Sequence, residues 1–147
     1  MAKRHAGLIL MQVKIKKLHD NAVIPKYAKN DDAGMDITAT SIKKTQDYIE
    51  YGTGLSFEIP KGHVCLIFPR SSLSNKDLIQ ANHVGVLDSG YRGELILRYK
   101  VVGEKIYKVG ERIAQIIIIP YPKIEFEETN ELSGSERKDG GFGSSGE

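Results

Sequence analysis

Apolar and polar positions alternate with a period of two along much of this chain. Val13 and Ile15, and after a slip Leu18, have lysines between them, the pattern of a half-exposed strand. Residues 30–34, Asn-Asp-Asp-Ala-Gly, form a turn cluster, and a short strand begins at Asp36 and runs to Ala39. Leu55, Phe57 and Ile59 alternate with Ser56 and Glu58 before Pro60-Lys61-Gly62 closes the segment. Three further runs, residues 64–68, 94–102 and 113–119, have strand length and are rich in β-branched residues; the last carries four consecutive isoleucines and stops at Pro120. One stretch suggests a helix: Ser72 or Ser74 would cap a short turn through Lys76, Asp77, Leu78 and Ile79. Many short strands separated by glycine-rich turns predict an all-β sandwich or barrel rather than a βαβ fold.

Length and composition bound this picture. With 147 residues, 40% hydrophobic and 27% charged, the chain suits one domain with a sizeable core. Its net charge of +2 is too small for a coat on nucleic acid or an anionic membrane surface. No apolar stretch approaches the roughly 18 residues of a membrane span. Cys65, the single cysteine, lies in an apolar run and is expected to pack in the core; it cannot form an internal disulfide. A reducing, cytoplasmic setting fits, or the host cytoplasm or nucleus if the chain is viral. Residues 1–10 read as an N-terminal extension, with Met11 as an alternative start, and residues 11–132 as the β-domain. Residues 133–147 are rich in Gly and Ser and predict a mobile tail whose single aromatic, Phe142, has no local core to join.

Polar clusters at the strand ends carry the candidate chemistry. Asp32-Ala33-Gly34-Met35-Asp36 is either a turn entering a strand or a site where Asp36 offers a hard oxygen near Mg²⁺. Arg70-Ser71-Ser72-Leu73 is either a capped turn or an anion cradle in which Arg70 pairs with phosphate and the serines add donors. In residues 85–94, Asp88 could take a proton from water and Tyr91 could pack on a sugar; the plainer reading is a hairpin turn on Ser89-Gly90 with Tyr91 restarting the strand. Gly110-Glu111-Arg112-Ile113-Ala114-Gln115 reads by itself as a turn with Glu111 and Arg112 solvated. The glycines after Arg137, around Phe142, would let backbone approach a phosphate closely; the plainer reading is a disordered tail.

The order of these clusters is more informative than any one of them. The chain resembles the trimeric dUTP pyrophosphatase family, whose five motifs follow this sequence order, from about Met11 to Gly146. The departures are Met35, in a variable slot, and Ser145, where the family often has Thr. The resemblance implies a jelly-roll-like distorted β-barrel with one short helix, assembled as a homotrimer whose active sites are shared between subunits and closed by a neighbour's C-terminal arm. It implies Mg²⁺-dependent hydrolysis of dUTP to dUMP and pyrophosphate, which limits uracil in DNA and supplies dUMP for dTMP synthesis. By the same resemblance, Asp36 sits in the outer shell of Mg²⁺ through water. Arg70, Ser71, the Ser72 backbone and Gln115 hold the phosphate chain, and Arg137 reaches its terminal phosphate. Asp88 activates the attacking water. Tyr91 excludes a 2′-hydroxyl, and uracil pairs with a hairpin near residues 82–86, including Asn82, Gly85 and Val86. Phe142 stacks on the base while Gly143 and Ser144 help cover the phosphates. The alternatives are a dCTP deaminase or bifunctional deaminase–pyrophosphatase on the same fold, and a non-catalytic nucleotide-binding barrel.

Overall fold

The computed structural model describes residues 4, 5 and 7–146; the rest of the extension expected over residues 1–10, and Glu147, lie outside the described residues. Two short strands, β1 (Arg4–His5) and β2 (Leu8–Ile9), pair antiparallel near the N-terminus. The body consists of β3 (Lys14–Lys17), β4 (Met35–Thr38), β5 (Ser41–Lys44), β6 (Ile49–Glu58) and β7 (His63–Phe68), then a 3-10 turn at Ser71–Asn75. It continues with β8 (Leu78–Gln80), β9 (Gly85–Leu87), β10 (Glu94–Val101) and β11 (Arg112–Pro120). These form two antiparallel sheets. One runs β3-β6-β10-β8 with β5 also on β6, and the other runs β4-β11-β7-β9. The all-β architecture expected from the alternation is therefore present.

Period-two patterning is clearest in β10, where Leu95, Leu97 and Tyr99 are buried while Ile96, Arg98 and Lys100 face out. The long strand β6 is buried over nearly its whole length because β3 and β5 pair with it at one edge and β10 at the other. Its pairing with β10 shifts register around Thr53 and Gly54. There the Glu94 carboxylate accepts from both backbone N–H groups at 3.1 Å, and Gly54 takes φ +66°, a left-handed conformation suited to glycine. Cys65 is fully buried, as its apolar surroundings predict.

Three tyrosines fill the centre. Tyr51, Tyr99 and Tyr107 meet edge to face, with ring centroids 5.6 to 6.3 Å apart. Their buried hydroxyls need partners: Tyr51 donates to the Tyr107 carbonyl at 2.8 Å and Tyr99 to the Ile113 carbonyl at 2.6 Å.

Two local expectations are corrected. The helical turn is earlier and tighter than the Ser72/Ser74 cap predicts: Arg70 stands at its N-cap without a side-chain cap bond, and Ser74 donates back to the Ser71 carbonyl. Leu78 and Ile79 lie in a strand paired with β10. Asp77 accounts for this, because its carboxylate accepts from the N–H groups of Glu104 and Lys105 at 3.0 and 2.8 Å and ties the segment down as extended chain. Nor do residues 85–94 make a hairpin on Ser89-Gly90. β9 pairs with β7 and β10 pairs with β6 and β8, so this turn carries the chain from one sheet to the other.

Candidate active site

The functional side chains fall into three groups. The first is built where β7 leaves its sheet beside the edges of β4 and β11. Arg70 Nε donates to Asp36 Oδ1 at 2.8 Å, and Arg112 Nη1 approaches Asp36 Oδ2 at 3.4 Å. Arg70 Nη1 also reaches Ser72 Oγ at 3.3 Å, and Ser72 Oγ lies 2.9 Å from the Tyr107 hydroxyl. Gln115 donates from Nε2 to the Pro69 carbonyl at 3.0 Å, which fixes the turn that presents Arg70 and Ser71. A Cβ on Gly34 would stand 2.7 Å from Gln115 Oε1, so glycine at that position makes room for this arrangement. Two guanidinium groups on one carboxylate leave a net positive cluster, suited to an anion.

The second group surrounds a cavity of about 600 Å³, whose lining includes Asn82, Gly85, Val86, Asp88 and Tyr91. Gly85 lets β9 approach β7, since a Cβ there would stand 3.0 Å from Ile67 Cδ1. The turn before it passes through His83 at φ +57° and is pinned by Gln80, whose Nε2 donates to the carbonyls of Ile67 and His83, both at 3.1 Å. The strands flanking this turn, β8 and β9, pair with β10 and β7 rather than with each other, so it too passes between sheets instead of closing the hairpin expected near residues 82–86. Tyr91 folds over Gly93 and donates to the Glu94 carbonyl at 2.9 Å. The Asp88 carboxylate is exposed and accepts no hydrogen bond from the described residues, which leaves it available to water.

The third group lies on the C-terminal segment. Among the described residues nothing from Tyr121 onward joins a strand, and Phe126 and Phe142 are almost wholly exposed. Arg137 Nε donates to the Gly140 carbonyl at 2.6 Å, and Phe142 and Gly143 have φ values of +52° and +88°. Ser144 N–H donates to the Gly141 carbonyl at 3.1 Å, closing a turn around Phe142.

Each group is assembled internally, but the chain does not bring the three together: no residue of the first or third lines the cavity. Among the described residues, no three His, Cys, Asp or Glu side chains cluster as a direct metal cage, and no helix is long and apolar enough to cross a membrane. Asp36, already bonded to two guanidinium groups, could only accept from the water shell of a divalent ion whose charge the substrate's phosphates balance. Sequence reasoning overlooked the contacts of three residues: Arg112, exposed as expected but bonded to Asp36; Tyr107, on Ser72; and Gln80, under the His83 turn. Arg112 lies in a recognised cluster, so its position was a usable signal; Tyr107 and Gln80 gave none, because their partners are distant in sequence or depend on the turn.

The chain matches the dUTPase family model over residues 20–146. It belongs to the dUTPase family. Among curated dUTPase relatives, the deoxyuridine 5'-triphosphate nucleotidohydrolase of Hydrogenobaculum sp. is 38% identical over 142 residues, spanning 92% of this chain and 99% of the relative. The enzyme of the same name from Nautilia profundicola is 43% identical over 142 residues, spanning 92% and 99%. A solved structure of the Staphylococcus bacteriophage 80alpha dUTPase with dUPNHPP superposes with a TM-score of 0.77 at 31% identity, covering 92% of this chain and 98% of that one. As a dUTPase, the chain falls in the enzyme class of dUTP diphosphatases.

Proposed function

We propose that this dUTP diphosphatase hydrolyses dUTP to dUMP and pyrophosphate with Mg²⁺, at sites completed by three copies of the chain. The observation that carries the reading is the unpartnered Asp88 carboxylate at the rim of a cavity that Tyr91 and Asn82 also line. A free carboxylate beside a nucleoside-sized pocket is placed to orient a water molecule. The water oxygen attacks the α-phosphorus, its proton passes to Asp88, the bond from Pα to the bridging oxygen breaks, and pyrophosphate leaves. The Tyr91 ring packs against the sugar and leaves no room for a 2′-hydroxyl. The turn at residues 82–86 presents backbone groups and Asn82 to uracil. A base with a different donor pattern leaves buried groups unpaired there, which is costly.

Arg70, Ser71, Ser72 and Gln115 receive the phosphate chain, where positioning and charge neutralisation supply most of the catalysis. Asp36 would hold the water shell of Mg²⁺, which when bound would supply further charge neutralisation to the phosphate chain. Separation of the three groups within one chain supports a composite site: the phosphate cradle, the nucleoside pocket and the arm come from different subunits. The domain then ends near residue 132, and residues 133–147 act as the arm, with Arg137 on the terminal phosphate, Phe142 on the base, and Gly143 and Ser144 over the phosphates. Residues 1–10 are an extension of the domain. A cytoplasmic setting, or the host cytoplasm or nucleus if the chain is viral, fits the free, buried Cys65.

The test is product analysis with Mg²⁺ and with dUTP, dCTP, dTTP and UTP offered in parallel. Pyrophosphate and dUMP from dUTP alone are expected, with turnover abolished by EDTA. Deaminated product from dCTP would favour the deaminase branch instead, and no turnover of any of the four would overturn the enzymatic reading. Sedimentation is expected to give a trimer.

A further inference from the structure

Tyr107 lies outside every cluster of candidate residues in the sequence, yet it touches the phosphate cradle. Its side chain is buried, edge-on to Tyr51 and Tyr99, and its carbonyl accepts from the Tyr51 hydroxyl. The hydroxyl at its tip is therefore a fixed point, 2.9 Å from Ser72 Oγ. The Lys76 ammonium lies 5.2 Å from the ring centroid, a further contact that holds the ring in place.

The direction of this hydrogen bond follows from the available hydrogens. Ser72 Oγ is the one hydrogen-bond partner of the Tyr107 hydroxyl among the described residues. Were Ser72 the donor, the buried Tyr107 hydrogen would have no acceptor, an arrangement folded proteins avoid. Tyr107 therefore donates. Arg70 Nη1, which can only donate, approaches the same oxygen at 3.3 Å. A serine hydroxyl has two acceptor sites and one hydrogen. With both acceptor sites taken, the Ser72 hydrogen remains, and no group among the described residues accepts it.

We propose that Tyr107 is a positioning residue that holds the Ser72 hydroxyl as an outward donor to a phosphate oxygen of the substrate. The inference rests on reading Arg70 to Ser72 as the phosphate cradle. It adds the Ser72 side chain to that cradle and gives the tyrosine cluster a role at the site. An outward Ser72 donor beside the Arg70 guanidinium favours an ionised phosphate oxygen over a neutral group.

A double-mutant cycle of Tyr107→Phe and Ser72→Ala tests this, with kcat and KM for dUTP and the thermal midpoint of each variant. Phenylalanine keeps the ring packing and removes only the hydroxyl. Tyr107→Phe is expected to lower kcat/KM about tenfold, the scale of one hydrogen bond to a charged group. Ser72→Ala should lose as much, and the double variant should fall no further than Ser72→Ala. Wild-type kcat/KM in Tyr107→Phe, with or without a lower midpoint, would overturn the proposal, as would losses that multiply in the double variant. Either result on an active wild-type enzyme leaves the assigned reaction intact. A wild-type chain that releases no pyrophosphate from dUTP would remove that reaction and this inference together.

Discussion

Asp36 and Arg70, 34 residues apart in the chain, meet at 2.8 Å through Oδ1 and Nε. Arg112 approaches the other carboxylate oxygen at 3.4 Å, so one acid orients two guanidinium groups at the edge of the proposed phosphate cradle. Both Asp36 and Arg70 are only about a quarter exposed, with side-chain accessibilities of 23% and 24%. Their geometry is better determined than that of an ordinary surface pair, and their contribution to stability remains small because water still screens them.

Asp36→Asn keeps the shape and removes the charge. It should cost about 1 kcal/mol of stability or less. Activity should suffer more, because the arginines lose their common anchor and, on the proposed reading, the water shell of Mg²⁺ would lose an anionic acceptor. A fall of about ten- to a hundredfold in kcat/KM is expected, from one or two charge-assisted bonds. Initial rates over a Mg²⁺ titration, with thermal melts, would separate the effects; an unchanged Mg²⁺ requirement would count against the role given to Asp36.

Asp88→Asn should behave differently. The carboxylate has no partner among the described residues, so its loss should leave the melting midpoint unchanged. The rate should fall by about 10²–10⁴-fold, the span of a general base. Single-turnover hydrolysis and binding of a non-hydrolysable dUTP analogue would show the split, with kcat lost and affinity retained. A comparable loss of affinity would assign Asp88 to binding instead.

Gly85→Ala tests how close β9 must come to β7. The added Cβ would stand 3.0 and 3.1 Å from Ile67 Cδ1 and Cβ, and the second of these cannot rotate away. Overpacking of this kind costs about 1–3 kcal/mol. Denaturant unfolding should show that loss, and dUTP KM should rise because Gly85 and Val86 line the cavity. Wild-type stability would mean that the two strands separate at little cost.

Alkaline pH should destabilise the fold. Burial pushes the Tyr51 hydroxyl up to about 12, although its bond to the Tyr107 carbonyl and nearby charges modify the effect; burial alone pushes the Cys65 thiol up to about 12. Burial also raises Tyr99. In each case the folded chain keeps a proton that the unfolded chain releases. Their stabilisation is therefore complete below the unfolded values, near 8.5 for Cys and 10 for Tyr. It declines as pH rises from there toward the folded values. Urea midpoints measured from pH 7 to 11 should be level at first and then fall, and the Cys65 thiol should resist alkylation until the protein unfolds. A midpoint that rises above pH 9 would contradict this sign.

Phe142→Ala should leave the melting midpoint unchanged, because the ring is fully exposed among the described residues. KM for dUTP should rise, since aromatic stacking on a base contributes about 1–3 kcal/mol. Equal KM values for the variant and the wild type would remove Phe142 from the proposed lid.

The sequence by itself determined the strands at residues 64–68, 94–101 and 113–119 and the residues available for chemistry, but not β5, β8, β9 or the first half of β6. Alternation in residues 94–101 and the β-branched run before Pro120 identify strands because a sheet with one buried face imposes a period of two. The polar clusters at strand ends were legible because Gly, Asp, Ser and Arg concentrate where backbone turns and charge must stay near solvent. Tertiary structure decided the partners. It turned Leu78 and Ile79 from an expected helical turn into a strand, through the Asp77 contacts with Glu104 and Lys105. It placed β9 and β10 in different sheets, joined Arg112 to Asp36, and set Tyr107 on Ser72. Local pattern records which face of a strand is buried. Which distant strand lies beside it, and which side chain therefore reaches which, depends on long-range packing that no short window of sequence encodes.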